Sequence, residues 1–143
     1  MNRIDKKPYF EVIRESYFSA AHQLREYRGK CEKIHGHDWR VRVAVRSRDL
    51  DGSGMVLDFH DLDSLIRDAV KDLDRTLMNK NSYFSDKNPS AEELARHIGD
   101  RVHAALTLRN AGDSKDHVKC RVDRCEVWEN DQSYAIYYPD AAS

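Results

Sequence analysis

Cysteine, proline and glycine are scarce in this 143-residue chain, and long apolar runs are missing. Three cysteines, an odd number, make a poor disulfide framework and fit a reducing cytoplasm. With only three prolines and six glycines there is no linker-like or low-complexity stretch, and no internal repeat is found. Residues 1–143 are therefore expected to form a single domain. No apolar run approaches ~18 residues, which excludes a transmembrane helix. The start, MNRIDKKPYF, is charged and has no apolar stretch, so no secretory signal is expected. A charge excess is missing too: Lys+Arg is 24 and Asp+Glu is 25, for a net charge of -1. That balance argues against a nucleic-acid coat or a membrane-surface protein and leaves room for a local basic pocket. What is present is ordinary for a soluble globular chain, with 40% hydrophobic residues, except for seven histidines that are unevenly placed.

Residues 8–20 read as an extended run in which Phe10, Val12 and Phe18 share a parity. A polar loop follows from Gln23 to Gly36. Residues 37–48 alternate, with Trp39, Val41, Val43 and Val45 against Arg40, Arg42 and Arg46, which predicts a strand with one apolar face. Asp51-Gly52-Ser53-Gly54 is turn chemistry. From Asp61 the period becomes helical, through Leu62, Leu65, Ile66, Ala69, Val70 and Leu73. A second helix is expected after Asn88-Pro89, with Ser90 as N-cap, Glu93 completing a capping box, and a stripe of Leu94, Ile98, Val102, Ala105 and Leu106. A loop over Asn110 to Asp116 precedes two strands, about 118–129 and 133–139, that turn near Asn130-Asp131. The order ββααββ predicts an α+β fold, an antiparallel sheet with both helices on one face. The other face, with its arginines, would meet water or a partner subunit.

His35-Gly36-His37 sets two imidazoles on one side of an extended chain, and Gly36 would let the backbone bend both rings onto one ion. His22 ends the first strand. Three neutral imidazoles can hold zinc and leave a fourth position open. Ordinary surface or capping histidines fit the same pattern, and both roles stay open on spacing alone. Cys31, four residues before His35, is a candidate base or nucleophile beside a cation, or else a small buried hydrophobe; its neighbours Lys30, Glu32 and Lys33 disfavour burial. Cys120 and Cys125 read as structural. The aperiodic segment from Asp74 to Pro89 is long for a compact domain, and such loops tend to be functional. By spacing alone Glu129 is a solvated residue where a strand meets a turn.

Phe18–His22, Cys31-x-x-x-His35-Gly36-His37, Leu57-Asp58-Phe59, Asn88-Pro89-Ser90-Ala91-Glu92 and Val127-Trp128-Glu129 occur in an order that resembles the 6-pyruvoyl-tetrahydropterin and 6-carboxytetrahydropterin synthase family over roughly residues 9–139. The resemblance implies the tunnelling fold (T-fold), in which trimers close a β-barrel and pair into a homo-hexamer with active sites between subunits. It implies His22, His35 and His37 as ligands of Zn2+, Cys31 as catalytic base, and Glu129 as the carboxylate that anchors the pterin. A carboxylate suits that task because it accepts two hydrogen bonds from the ring's amino and N–H edge. The substrate implied is 7,8-dihydroneopterin triphosphate. In the queuosine branch the products are 6-carboxy-5,6,7,8-tetrahydropterin, acetaldehyde and triphosphate.

Two departures stand out. The family usually has Asp-His at the head of the long loop as a proton relay, and here the pair is Asp74-Arg75. Arginine stays protonated and cannot shuttle a proton. It can lower the Cys31 pKa or hold an oxyanion or phosphate. Glu32 makes the motif Cys-Glu-x-x-His-Gly-His, which also contains the Glu-x-x-His-Gly-His of a folate-pathway subgroup; 6-hydroxymethyl-dihydropterin through Glu32, or 6-pyruvoyl-tetrahydropterin, is thus an alternative product. A non-catalytic pterin- or zinc-binding member, or a purely structural zinc protein, is the alternative of another class. Arg25, Arg28, Lys30, Lys33 and Lys80 are the basic residues near enough in sequence to hold the triphosphate, none singled out. His60, His97, His103 and His117 are expected to be surface or packing residues.

Overall fold

The computed structural model describes residues 7–26, 29–112 and 117–139. Arg28 and the end of the expected 110–116 loop lie outside the described residues. Five strands and two helices follow in the order β1 (Phe10–His22), β2 (His35–Ser47), α1 (Phe59–Val70), β3 (Thr76–Leu77), α2 (Ala91–Asn110), β4 (Arg121–Asn130) and β5 (Ser133–Tyr137). The sheet order is β3-β1-β2-β4-β5. All neighbours are antiparallel except β3, which runs parallel to β1 at Ala20 and Ala21. The expected four strands and two helices are thus present. The correction is β3, a fifth strand too short to leave a period in the sequence.

β2 buries the apolar stretch of one face: Trp39, Val41, Val43 and Val45 are all at 0% exposure. Phe18 and Ala20 of β1 and Val122, Cys125 and Val127 of β4 join it in one core with both helices. Val122 and Cys125 differ in parity yet share the inward face, because a bulge opposite Ala44 and Val45 adds one residue to β4. Both helices are capped, α2 at the expected Ser90 and α1 at Asp58, for which no cap was foreseen. Asp58 accepts from the His60 and Asp61 amides, so α1 begins two residues before the expected Asp61, and Ser90 accepts from the Glu93 amide. Phe10 is the exception to the expected parity, since it is 48% exposed at the free start of β1.

The opposite sheet face carries the β2 arginines, and the sheet itself supplies their partners. Arg42 pairs with Glu15 and Glu126, Arg46 with Asp123, and Arg40 lies 4.3 Å over the Trp128 ring. The 74–89 segment is built as well. After β3 come two single-turn 3-10 helices, Met78–Lys80 and Ser82–Phe84, pinned to the core by Met78 and Phe84, both at 0% exposure.

Candidate metal centre

The core rows continue past the last apolar side chain. Phe18, Ala20 and His22 share one face of β1, as do His35, His37, Trp39 and Val41 on β2, and Val127 and Glu129 on β4. Pairing sets His22 opposite His35 and Ala20 opposite His37. The result is a group of His22, His35, His37 and Glu129 whose ligand atoms all lie within 4.8 Å of one another. Gly36 contributes less than its position suggested. It sits in ordinary extended pairing, and a Cβ there would meet Ala20 O at an unstrained 3.8 Å. The period of two, not a glycine bend, puts both rings on one side.

The tautomers favour a cation. His22 Nδ1 lies 2.8 Å from the carbonyl of Pro89, and His35 Nδ1 lies 2.9 Å from that of Lys33. A carbonyl only accepts, so each Nδ1 holds the proton and each Nε2 presents a bare lone pair. Those two nitrogens are 3.0 Å apart, and the buried His37 Nε2 has no hydrogen-bond partner. Glu129 Oε1 stands 3.3 Å from His22 Nε2 and 3.2 Å from His37 Nε2. Tetrahedral ligands at about 2.0–2.1 Å from one ion are roughly 3.3 Å apart, close to these spacings. The donor set therefore fits a zinc-like ion. Burial keeps the His37 imidazole below its ordinary pKa, against the pull of Glu129, and so in the neutral form that binds metal.

Trp39 closes the bottom of the site. Its ring meets those of His22 and His37 edge-on at 5.0 and 5.2 Å, and its indole N–H donates to Ala20 O. His22 is almost fully buried, whereas the His35 side chain is 39% exposed. The site therefore opens on the His35 side. An adjoining cleft of about 570 Å³ is lined by His37, Asp38, Ser19 and Arg75. Asp74 Oδ1 accepts from the Ser19 amide, and the Arg75 amide donates back to Ser19 O at 2.6 Å. Arg75 holds φ at 60°, a left-handed conformation that is uncommon for an arginine and aids the tight entry into β3. Glu32 is tied down: its carboxylate accepts from the Leu24 amide at 3.0 Å and lies 3.9 Å from His35 Nδ1. Cys31 is exposed, as its polar neighbours suggested, and stands outside the four-residue group.

A model of the 6-pyruvoyl tetrahydropterin synthase family matches residues 11–140. The chain belongs to that family. Its curated relatives include the 6-carboxy-5,6,7,8-tetrahydropterin synthase of Bacillus subtilis, 34% identical over 92% of this chain and 88% of the relative. The synthase of Haemophilus influenzae with the same name is 27% identical over 90% and 98%. Among solved structures, the 6-pyruvoyl tetrahydropterin synthase of Caenorhabditis elegans superposes with a TM-score of 0.72 at 17% identity, covering 93% of this chain and 97% of that one. The Plasmodium vivax protein gives 0.68 at 21% identity over 91% and 97%. These likenesses establish the T-fold. The chain is accordingly a lyase of the tetrahydropterin synthase family, and no helix among its described residues is long and apolar enough to cross a membrane.

Sequence reasoning passed over several members of this site. Asp38, one residue beyond His37, takes the Ser19 hydroxyl at 2.5 Å in the cleft. The Pro89 carbonyl orients His22, and a backbone oxygen leaves no signal in residue type. Glu129 lies where the strand was expected to meet the turn, one step before the end of β4 at Asn130, but its side chain joins the metal-centre group and is not simply solvated. Its parity with Val127 was the available signal. Of the other histidines, His97 packs on Tyr83 at 4.1 Å, while His60 and His117 are exposed.

Proposed function

We propose that this family member is a zinc-dependent lyase that converts 7,8-dihydroneopterin triphosphate to 6-carboxy-5,6,7,8-tetrahydropterin, acetaldehyde and triphosphate, in the cytoplasm and toward queuosine. The observation that carries the proposal is the convergence of three imidazole Nε2 atoms with Glu129 at one open end of the sheet, two of them (His22 and His35) left bare by carbonyls at Nδ1 and the third (His37) without a hydrogen-bond partner. Relatives named for this product, of nearly the same length, support the choice among pterin products.

His22, His35 and His37 would hold Zn2+ through Nε2. When bound, zinc supplies Lewis-acid polarisation of the substrate's side-chain hydroxyls, which acidifies the neighbouring C–H. Glu129 turns to the pterin and accepts hydrogen bonds from its amino and N–H edge. Cys31, as thiolate, takes and returns the substrate proton. Its exposure leaves it free to reach substrate from one side. Asp74 fixes the entry to β3 through the Ser19 amide, which presents Arg75 to the cleft beside His37. A guanidinium there holds developing negative charge or phosphate without relaying a proton. Glu32 accepts the Leu24 amide, which supports a role in positioning the loop before His35 over that of a second base. The chain functions as one domain in a homo-hexamer, a dimer of trimers. Support comes from the helix-free sheet face and from two open sheet edges, at β5 and along most of β1.

The test is a mass-spectrometric product assay of the zinc-loaded protein with 7,8-dihydroneopterin triphosphate. 6-Carboxytetrahydropterin, acetaldehyde and triphosphate are expected. Zinc and pterin binding without triphosphate release would replace this enzyme by a binding member. 6-Hydroxymethyl-dihydropterin would restore Glu32 as a base. Chelation should stop turnover and leave the fold intact, since the core is complete without the ion.

A further inference from the structure

The three residues after His22 leave the sheet, yet none of their backbone groups goes without a partner. Gln23 N–H donates to Asn79 Oδ1 at 2.8 Å, and Asn79 Nδ2 donates back to Gln23 O at 2.7 Å. Arg25 repeats the arrangement with Asn88, at 2.8 and 3.1 Å. Leu24, facing the other way, exchanges its amide and carbonyl with Glu32 at 3.0 Å each. Backbone pairing with β3 ends at Ala21 opposite Leu77, and the Asn79 side chain takes it over. A primary amide is the one uncharged side-chain group of this size that carries a donor and an acceptor in one plane, so it can stand in for a peptide. Aspartate offers acceptors only.

These contacts end at the metal centre. Asn88 precedes Pro89, whose carbonyl takes the His22 Nδ1 proton and aims Nε2 at the other ligands. The Arg25 guanidinium adds further anchors, donating to the carbonyls of Phe84 and Lys87. His22 thus sits between a sheet on one side and a loop locked to its own following residues on the other.

We propose that Asn79 and Asn88 are positioning residues of the metal centre: paired amides that clamp Gln23 and Arg25 to the 76–89 segment and thereby hold His22 in its ligating orientation. The proposal rests on the metal-centre reading above. Groups that orient a metal ligand typically contribute 10- to 100-fold in metal affinity.

The experiment measures Zn2+ affinity by chelator competition, and Co2+ ligand-field absorption, on the full chain. Asn79→Asp and Asn88→Asp are made in the wild type and in His22→Ala. In the wild-type background each substitution should weaken zinc about 10- to 100-fold and alter the cobalt spectrum. In His22→Ala, where the oriented ligand is gone, either should change affinity by less than about twofold, the non-additivity expected of coupled groups. Wild-type affinity in a folded variant overturns the clamp. Equal losses in both backgrounds overturn it too, because they mark a general structural role. If an Asp variant does not fold, Asn→Ala at that position is judged by the same two measurements. A wild-type protein that binds neither ion refutes the metal centre itself, and this is seen before any variant is made.

Discussion

The inward rows of β1, β2 and β4 are each two regions in one. Phe18, Trp39, Val41 and Val127 are sealed under the helices, and one or two pleats further His22, His35, His37 and Glu129 keep polar atoms free. The strand geometry is the same in both. What differs is that the apolar half satisfies itself by packing, whereas the polar half brings three imidazole nitrogens and a carboxylate together without satisfying them. Stability belongs to the first region, and the proposed chemistry to the second. Trp39 is the seam, buried like the core and touching two of the imidazoles.

The sharpest break between the regions is His35→Ala, which removes a proposed ligand from the open side of the site. Turnover should fall about a thousandfold or more, given several kcal/mol of metal-supplied stabilisation at 1.36 kcal/mol per tenfold. Thermal denaturation without metal should barely move. Cys31→Ser comes next: turnover should fall roughly 10²- to 10⁴-fold while zinc affinity by chelator competition stays at the wild-type value. Equal loss of both would deny the cysteine a proton-transfer role.

Ile98→Ala probes the other region. Emptying a fully buried position should cost about 2–5 kcal/mol in denaturant unfolding, with zinc affinity of the folded fraction unchanged. Arg75→His is a smaller and more informative change. A histidine titrates near neutrality where arginine does not, so turnover should rise and its pH profile gain a limb near about 6.5. An unchanged rate and profile would free Arg75 from limiting the relay.

The smallest effect is expected at Tyr137, far along β5. Burial, and then its 2.7 Å hydrogen bond to Asp100, push the phenol up to about 12 from 10.0. A raised folded pKa means that this stabilisation is complete below pH 10.0 and is lost as pH rises toward about 12. Tyr137→Phe should cost about 1 kcal/mol at neutral pH and flatten that alkaline limb in unfolding experiments.

Much of both regions was legible in residue type. Alternation along β2 named the buried face, and the Ser90 cap, the α1 and α2 stripes and the His-Gly-His pair were all visible. The β3 strand was not, since two residues carry no period. The bulge at β4 was hidden as well, because it appears only against a paired strand. Spacing placed Glu129 at the end of β4 but read it as merely solvated, because its meaning lies in sharing the inward parity of Val127. Asn79 and Asn88 look like loop residues until their partners, 56 and 63 positions away, are seen.

The scarcity of proline and glycine and the lack of long apolar runs, together with period-two and helical patterns, determined the α+β class, the face each strand buries and the histidines on offer. Those properties depend on neighbours within a few residues. The convergence of β1, β2 and β4 on one four-residue group, the tautomers set by the Pro89 and Lys33 carbonyls, and the occupation of Glu32 by Leu24 were decided only by the tertiary structure. Each depends on register or on the folded placement of backbone amides and carbonyls, groups that nearly every residue carries alike whatever its side chain.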